Sequence, residues 1–437
     1  MTGITLSNPG NRNNKVTAED AEKLVENWKD EIARNPNQIV ETLDLSKRSY
    51  QVEAVKIICN FLFDKVAGVK KAILNDIIAS LETEKGLEVL KDISQLLKDS
   101  PIEHLDLDDN AMGIRGVERC EAILSLVTLQ VLSCQNDGFS EESMTRIKTF
   151  LQNKSNLRVL KFYNNMIGVG GAKETGLILK ECINLSYFRY EGCRPLTEGT
   201  DSLISGLASA IKSKPQHPLE RLELEVSLEG QSLDDLCNGV LKQLPSLKHL
   251  RLYDCSLDED TCKPVLQALY GLQSLEQLDM SNNEIGENNV RKLAPIIKKN
   301  GTSLRMIKLE GAELNSRGVE RLSKAFTAAG QPLALEELDL SCNAIGTRGA
   351  EALIAAQDAI PKLRVLNLDD NSFSEEILER LQHSFGDTLL EMPNNIDDYD
   401  NDDDLEESDD EEEERENIEG VIIGMAEVAL TPDDVSL

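Results

Sequence analysis

Three short segments of this sequence place two polar side chains next to each other, at intervals of 27 and 28 residues. They are Asp109-Asn110, Asn136-Asp137 and Asn164-Asn165. In each pair the second residue stands where a short polar side chain can satisfy turn backbone groups that would otherwise be buried unpaired. The first residue is then free to face a partner, so the chemistry on offer is hydrogen bonding to another molecule. Its position is filled on other turns by Asp254, Asn282 and Asp370, so spacing alone singles out none of them.

The sequence carries no recognisable set of residues for catalysis or metal binding of its own. The segment GVGG from Gly168 lacks the Lys and Ser/Thr of a phosphate-binding loop. No Cys/His or Ser/His pair has the spacing of a nucleophile and its base. The nine cysteines include no CxxC pair, and the four histidines are scattered. We therefore expect no cofactor and no structural metal, a reducing cytosolic or nuclear compartment, and no active site of the chain's own.

The polar pairs belong to a longer repeat. A phrase close to L-x-x-L-x-L-x-x-N begins at residues 102, 129, 157, 185, 219, 247, 275, 304, 335 and 363, with spacings of 27 to 34. Alternating apolar residues predict a short strand in each unit, and segments such as GVERCEAIL from Gly116 predict a helix after the turn. Such a leucine-rich unit cannot bury its apolar face alone and must stack on its neighbours. The predicted fold is an α/β solenoid, a ribonuclease-inhibitor-like crescent with parallel strands on the concave face and helices on the convex face.

The repeat divides the chain into four predicted parts. Residues 1–39 form an N-terminal cap that contains the helical segment AEDAEKLVENWKDEIA from Ala18. Residues 40–386 form about 12 repeats, because two weaker units, from Val40 and Lys70, precede the clear ones. Residues 387–417 form a disordered acidic tail, since they lack the apolar surface to fold. Residues 418–437 form a C-terminal segment whose role the sequence does not define.

The charge of the chain limits its partners. The formal net charge is −32, and residues 397–416 carry 15 acidic side chains and one Arg, so the rest of the chain is also acidic. This argues against nucleic acid or an anionic membrane as a partner and favours a basic protein. The late apolar stretch VIIGMAEVAL is about half as long as a spanning helix and contains Glu427. The acidic run either solubilises the chain or acts as an electrostatic arm that raises the encounter rate with a basic partner.

Three segments resemble the Ran GTPase-activating proteins, the plant members especially. Residues 105–118, 136–143 and 157–172 read LDLDDNAMGIRGVE, NDGFSEES and LRVLKFYNNMIGVGGA. The weaker similarity extends over roughly residues 70–416. The resemblance implies a protein that accelerates GTP hydrolysis by the small GTPase Ran in its GTP form and so supports nucleocytoplasmic transport. GTP and Mg²⁺ would belong to the GTPase, and an accessory Ran-binding protein is a further candidate partner.

The resemblance also assigns roles to residues. Hydrolysis needs an attacking water held in line with the γ-phosphate. The family uses no arginine finger and instead places an Asn at the edge of the repeats, where it helps to hold the GTPase's own catalytic Gln. That Asn corresponds to Asn136. The surrounding patch that would bind the partner contains Asp109, Asn110, Asp137, Asn164 and Asn165.

One position departs from the family pattern. The family carries a Gly-Arg pair in the loop before the Asp109 turn, and the Arg contributes to binding and activity. This chain has Ser80-Leu81 there, and Leu cannot make the charge-assisted contacts of a guanidinium. Three interpretations follow: a nearby cation such as Lys85 or Arg115 substitutes, affinity for the GTPase is reduced, or the chain binds without activating.

The sequence leaves one functional alternative and one inference on location. The alternative is a non-catalytic leucine-rich repeat scaffold or inhibitor, for which the replacement at Leu81 is the best argument. The Trp-Pro-Pro module of the plant family members and the large C-terminal domain of the animal members do not occur in this sequence. Its plan is therefore closest to the fungal one, which favours a soluble protein in the cytoplasm, including the perinuclear region.

Overall fold

A single parallel sheet organises the part of the chain that this computed structural model describes, residues 3–8 and 15–395. Each strand pairs with the next one along the sequence, from first to last. The thirteen strands of the described residues are β1 (Ile4–Ser7), β2 (Val40–Asp44), β3 (Lys71–Ile73), β4 (His104–Asp106), β5 (Val131–Gln135), β6 (Val159–Tyr163), β7 (Tyr187–Glu191), β8 (Arg221–Leu224), β9 (His249–Leu252), β10 (Gln277–Asp279), β11 (Met306–Lys308), β12 (Glu337–Asp339) and β13 (Val365–Asn367).

Helices connect successive strands, and neighbouring helices pack on one another. They are α1 (Ala18–Arg34), α2 (Val52–Leu62), α3 (Thr83–Leu97), α4 (Gly113–Arg119), α5 (Glu121–Leu124), α6 (Glu141–Phe150), α7 (Gly168–Leu179), α8 (Leu196–Ser213), α9 (Gly230–Asp234), α10 (Glu259–Leu269), α11 (Gly286–Val290), α12 (Leu293–Asn300), α13 (Asn315–Ala328), α14 (Thr347–Ala356) and α15 (Glu375–Phe385). A π-helical segment, Asp235–Val240, continues α9. No helix in the described ranges is long and apolar enough to cross a bilayer.

The repeated leucines explain the regular order of the strands. Leu105, Leu132 and Leu160 occupy the same register on β4, β5 and β6, and each is fully buried. Burying one such side chain contributes about 1.5–3 kcal/mol, and every added repeat extends the same column. The predicted α/β leucine-rich repeat solenoid with parallel strands is therefore confirmed.

The sheet begins one strand before the first predicted repeat. Strand β1 precedes the predicted cap helix and pairs in parallel with β2. Its residues Ile4 and Leu6 are buried, and the Ser7 carbonyl accepts a hydrogen bond from Trp28 Nε1 at 3.0 Å. The cap is thus a strand and a helix. The segment ITLS did not predict a strand, because it has only four residues and lies within a polar stretch of the sequence.

The chain stays packed on the last repeat beyond residue 386. Leu389 forms a β-bridge with Leu366, and the Phe373 N–H donates to Asn395 Oδ1 at 3.0 Å. The predicted start of the disordered tail at residue 387 is therefore too early, because Asn395 satisfies the last turn as the asparagines of the repeats satisfy theirs. The acidic run 397–416 and the segment 418–437 lie outside the described residues.

Candidate functional site

The first residues of the three polar pairs share an unusual backbone conformation. Asp109, Asn136 and Asn164 have φ of 64°, 55° and 49°. Asn and Asp tolerate this left-handed region better than other non-glycine residues, because their short side chains hydrogen-bond locally. The turn therefore gives a conformational reason for these residue types that their spacing along the sequence does not show.

The same three side chains form a hydrogen-bonded row, which we call the edge ladder (Asp109, Asn136 and Asn164). Asn164 Nδ2 donates to Asn136 Oδ1 at 2.5 Å, and Asn136 Nδ2 donates to Asp109 Oδ1 at 2.7 Å. The carboxylate of Asp109 can only accept, so it fixes which end of the Asn136 amide faces it. Asn136 is half-buried and Asn164 is exposed. One N–H and one oxygen lone pair of the Asn136 amide remain for another molecule.

A glycine ends the edge ladder on its C-terminal side. Gly192 occupies the matching position of the next turn with φ of 63°. A Cβ there would lie 3.1 Å from Asn164 Cα, so the two turns approach each other closely. Because Gly192 has no side chain, the row of hydrogen-bonded side chains stops at Asn164.

The second residues of the pairs lie inside the turns. Asn110, Asp137 and Asn165 have at most 2 % of their surface exposed. Asn110 accepts from the Ile77 N–H and donates to the Leu74 carbonyl, both at 2.9 Å. These three side chains therefore cannot contact a partner directly, which corrects their inclusion in the predicted patch. Their role is to satisfy turn backbone, as the fixed spacing also predicted.

Asp137 differs from the asparagines at this position. Its Oδ1 accepts from the Asn110 N–H at 3.1 Å, whereas its buried Oδ2 has no hydrogen bond within the described residues. Burial raises the pKa of this carboxyl well above its ordinary value, and the nearby Asp108 and Asp109 raise the pKa further. Burial therefore shifts this carboxyl towards its neutral form inside the turn.

The two predicted substitute cations are engaged in surface ion pairs. Lys85 Nζ lies 3.1 Å from Glu82 Oε2, and an Arg115 guanidinium nitrogen lies 2.6 Å from Glu84 Oε1. Leu81 is partly buried against the core, in line with its apolar character. Exposed ion pairs contribute little, about 0–1 kcal/mol, so both cations can be released to a partner.

A second polar surface, which the spacing of the repeat does not predict, lies on the strand face between the buried leucines. Three guanidiniums lie over tyrosine rings: Arg189 over Tyr163 at 4.2 Å, Arg251 over Tyr253 at 4.3 Å and Arg221 over Tyr187 at 4.8 Å. The carboxylates that pair with these arginines have side chains that are at most 8 % exposed. We call this the strand-face cluster, which comprises Tyr163, Tyr187, Arg189, Glu191, Arg221, Glu223, Arg251, Tyr253 and Asp279.

The buried carboxylates hold the arginines in place. Glu191 accepts from Arg189 Nε at 2.6 Å and from Arg251 Nε at 2.8 Å. Arg251 also pairs with Asp279. A depression of about 200 Å³ opens beside Arg251 and is lined in part by His249 and Lys308. Ordered Arg and Tyr side chains of this kind are enriched at the centres of protein interfaces.

Comparisons with known proteins agree with the architecture. A family model described as "Leucine Rich repeat" matches residues 271–294 and 334–353, and one described as "Leucine Rich Repeat" matches residues 362–384. The chain is a leucine-rich repeat protein. These matches fall on the repeats that contain β10, β12 and β13.

Several relatives are named as ribonuclease inhibitors or as larger proteins that contain NACHT, LRR and PYD domains. The chain is 28% identical to "Ribonuclease inhibitor" of Sus scrofa over 296 residues, which are 66% of this chain and 62% of the relative. The Mus musculus "Ribonuclease inhibitor" is 28% identical over 60% of this chain and 57% of its own length. "NACHT, LRR and PYD domains-containing protein 5" of Mus musculus is 24% identical over 87% of this chain and 32% of its own. The chain thus spans less than two thirds of each of these relatives.

Proposed function

We propose that this leucine-rich repeat protein binds a protein partner through its turn edge and activates a Ran-type GTPase there. The observation that carries the proposal is the edge ladder, in which Asn136 is held between Asp109 and Asn164. The resemblance of residues 105–118, 136–143 and 157–172 to the Ran GTPase-activating proteins supports the choice of partner. In this proposal the protein acts in the cytoplasm, including the perinuclear region.

The chemistry would be positioning, without a covalent step on this chain. A glutamine amide carries the same donor and acceptor groups as the free side of Asn136, so the two amides can pair. Such a pair would hold the catalytic Gln of the GTPase in the orientation that aligns the attacking water. GTP and Mg²⁺ would come with the GTPase, and this chain would supply no cofactor and no arginine finger.

The test is single-turnover GTP hydrolysis by Ran with substoichiometric protein, comparing Asn136→Ala with the wild type. We expect strong acceleration by the wild type and a loss of about 100-fold in the variant, the scale of removing one positioned hydrogen-bonding group. Asn282→Ala is the matched control, because Asn282 occupies the equivalent position on a distant turn with φ of 56°. Both variants place Ala in the same left-handed conformation, so a backbone effect would appear in both.

Two outcomes contradict parts of this proposal. Unchanged acceleration by Asn136→Ala would remove the assigned role of that residue. Binding of Ran without acceleration by the wild type would leave a binder that does not activate, and Leu81 would become the leading explanation. Lys85→Ala and Arg115→Ala then show whether either cation contributes to the complex.

A binding scaffold or inhibitor is the second candidate, and the strand-face cluster favours it. The relatives named as ribonuclease inhibitors support this class of function. We would measure RNA hydrolysis by a ribonuclease in the presence of excess protein, with Arg251→Ala as the cluster variant. Inhibition that the variant weakens supports this function, whereas full ribonuclease activity at every protein concentration excludes it for that enzyme.

A further inference from the structure

The turn edge continues past the edge ladder with three exposed side chains, Met166, Arg194 and Leu196. Met166 and Leu196 are 68 % and 66 % exposed, among the largest values for apolar side chains in the described residues. Single exposed apolar residues are ordinary on a protein surface. These two, however, lie on adjacent turns, and on its turn the exposed Arg194 occupies the position that Met166 occupies on the turn before.

Leu196 adopts a backbone conformation that is unfavourable for its side chain. Its φ is 50°, the left-handed region, in which a side chain with a Cβ crowds the following carbonyl. Leu196 lies eight residues after Phe188, the strand residue that continues the column of buried leucines. The position eight residues after the equivalent strand residue is also left-handed in five other repeats. It is filled there by Gly113, Gly168, Gly230, Gly286 and Asn315. Among these six left-handed positions of the described residues, only Leu196 carries a large apolar side chain, and since it is exposed, its packing does not compensate for the strain.

The turns that carry these residues are in direct contact. The Gly168 N–H donates to the Cys193 carbonyl at 3.0 Å, and Gly192 approaches the backbone of Asn164. Strands β6 and β7, which precede these turns in the sequence, pair in register with each other. The three side chains therefore lie on the turns that carry the C-terminal end of the edge ladder.

Arg194 differs from the two cations already considered. Its φ is 53°, and its side chain is exposed on the turn beside Asn164. Lys85 and Arg115 are ion-paired, whereas Arg194 has no ion pair within residues 3–8 and 15–395. An unpaired guanidinium on the same two turns as two exposed apolar side chains is suited to a partner surface that offers a carboxylate and apolar groups.

We propose that Met166, Arg194 and Leu196 continue the edge ladder as an apolar and cationic contact that the GTPase covers when it binds. We call the edge ladder and these three residues together the docking edge. This inference rests on the proposed function and extends it. The partner surface would present apolar side chains to Met166 and Leu196 and an acidic side chain to Arg194. The strained conformation of Leu196 is then retained for binding.

The experiment measures the dissociation constant for GTP-loaded Ran, the saturating hydrolysis rate and the thermal midpoint of each variant. Leu196→Gly removes both the strain and the apolar contact. We expect a dissociation constant raised about 5-fold or more, an unchanged saturating rate, and a thermal midpoint that is equal or higher. Arg194→Ala should weaken binding by a similar factor, with a smaller effect at high salt. Leu177→Ala is the control, since Leu177 is 50 % exposed on α7.

The outcomes separate this inference from the proposed function. Wild-type affinity in both Leu196→Gly and Arg194→Ala, with hydrolysis by Asn136→Ala still reduced about 100-fold, overturns the inference alone. A lower thermal midpoint for Leu196→Gly overturns the argument from strain. No binding of Ran by the wild-type protein overturns the proposed function and this inference together.

Discussion

At the scale of single residues, Asp137 is the least expected feature of the turns. Five turns fill its position with an amide side chain that can both donate and accept, namely Asn110, Asn165, Asn283, Asn343 and Asn371. Each of these asparagines donates its Nδ2 hydrogens to backbone carbonyls. An ionised carboxylate has no such hydrogen, so Asp137 can reproduce the arrangement only when it is protonated.

Replacing this carboxyl by an amide should stabilise the protein in a pH-dependent way. The pKa of Asp137 in the fold lies above its unfolded value, so the contribution of Asp137 to stability is full at low pH and is lost as pH rises through the folded pKa. We expect Asp137→Asn to increase the free energy of unfolding by about 1–3 kcal/mol at pH 8. The gain should shrink as pH falls towards the ordinary pKa of Asp.

The measurement is urea unfolding of both proteins at several pH values from 5 to 8.5. Only the difference between the two proteins is interpreted, because many other acidic groups of this chain also titrate. A difference that does not change with pH would show that Asp137 is not protonated in the fold.

The residue types of the site were partly predictable from the sequence. The period of the repeat places Asn136 one residue before the buried position, and the structure has that order. The left-handed backbone of Asp109, Asn136 and Asn164 and their mutual hydrogen bonds were not predicted. They depend on the distance between neighbouring turns, which spacing along the chain does not give. The strand-face cluster depends in the same way on the register of strands about 30 residues apart.

At the scale of secondary-structure elements, the turns of the docking edge are positioned by the contact between α7 and α8. Two glycines bring these helices together: a Cβ on Gly206 would lie 2.2 Å from the Gly176 carbonyl oxygen, and one on Gly176 would lie 2.3 Å from the Ser202 carbonyl oxygen. A glycine inside a helix costs about 1 kcal/mol relative to alanine. Close packing of the two backbones offsets that cost.

Gly206→Ala should therefore destabilise the protein, although alanine is the better helix former. The added methyl meets backbone that cannot move aside, so we expect a loss of about 2 kcal/mol or more. Gly170→Ala is the matched control on α7, because a Cβ there meets the carboxylate end of the flexible Glu141 side chain. We would compare the thermal midpoints of the two variants and their affinities for the partner. Equal midpoints would show that the helices separate without cost.

At the scale of the whole molecule, the interior of the solenoid was predictable and its ends were not. The repeat phrase specifies the strand, turn and helix of each unit, and stacking follows because each unit needs its neighbours. The first and last units have a neighbour on one side only, so they use other sequences. The β1 strand around Leu6 and the closing Asn395 do not follow the phrase, which is why the predicted boundaries at these ends differ from the structure.

The net charge of −32 is also a property of the whole chain, and it predicts how salt affects association with a basic partner surface. Neutralising residues 397–416, by Asp→Asn and Glu→Gln throughout, keeps the length and leaves a net charge of about −17. If this run is an electrostatic arm, the association rate with the GTPase should fall about 10-fold at low ionic strength and converge with the wild type at high salt.

The saturating hydrolysis rate should stay unchanged, because the edge ladder is intact in that variant. Stopped-flow association at several salt concentrations, beside single-turnover hydrolysis, measures both effects. Equal association rates at every salt concentration, with lower solubility of the neutralised chain, would instead support a solubilising role for the acidic run. The salt dependence of association therefore separates the two roles that the sequence left open, since only an arm that attracts the partner changes the rate of encounter.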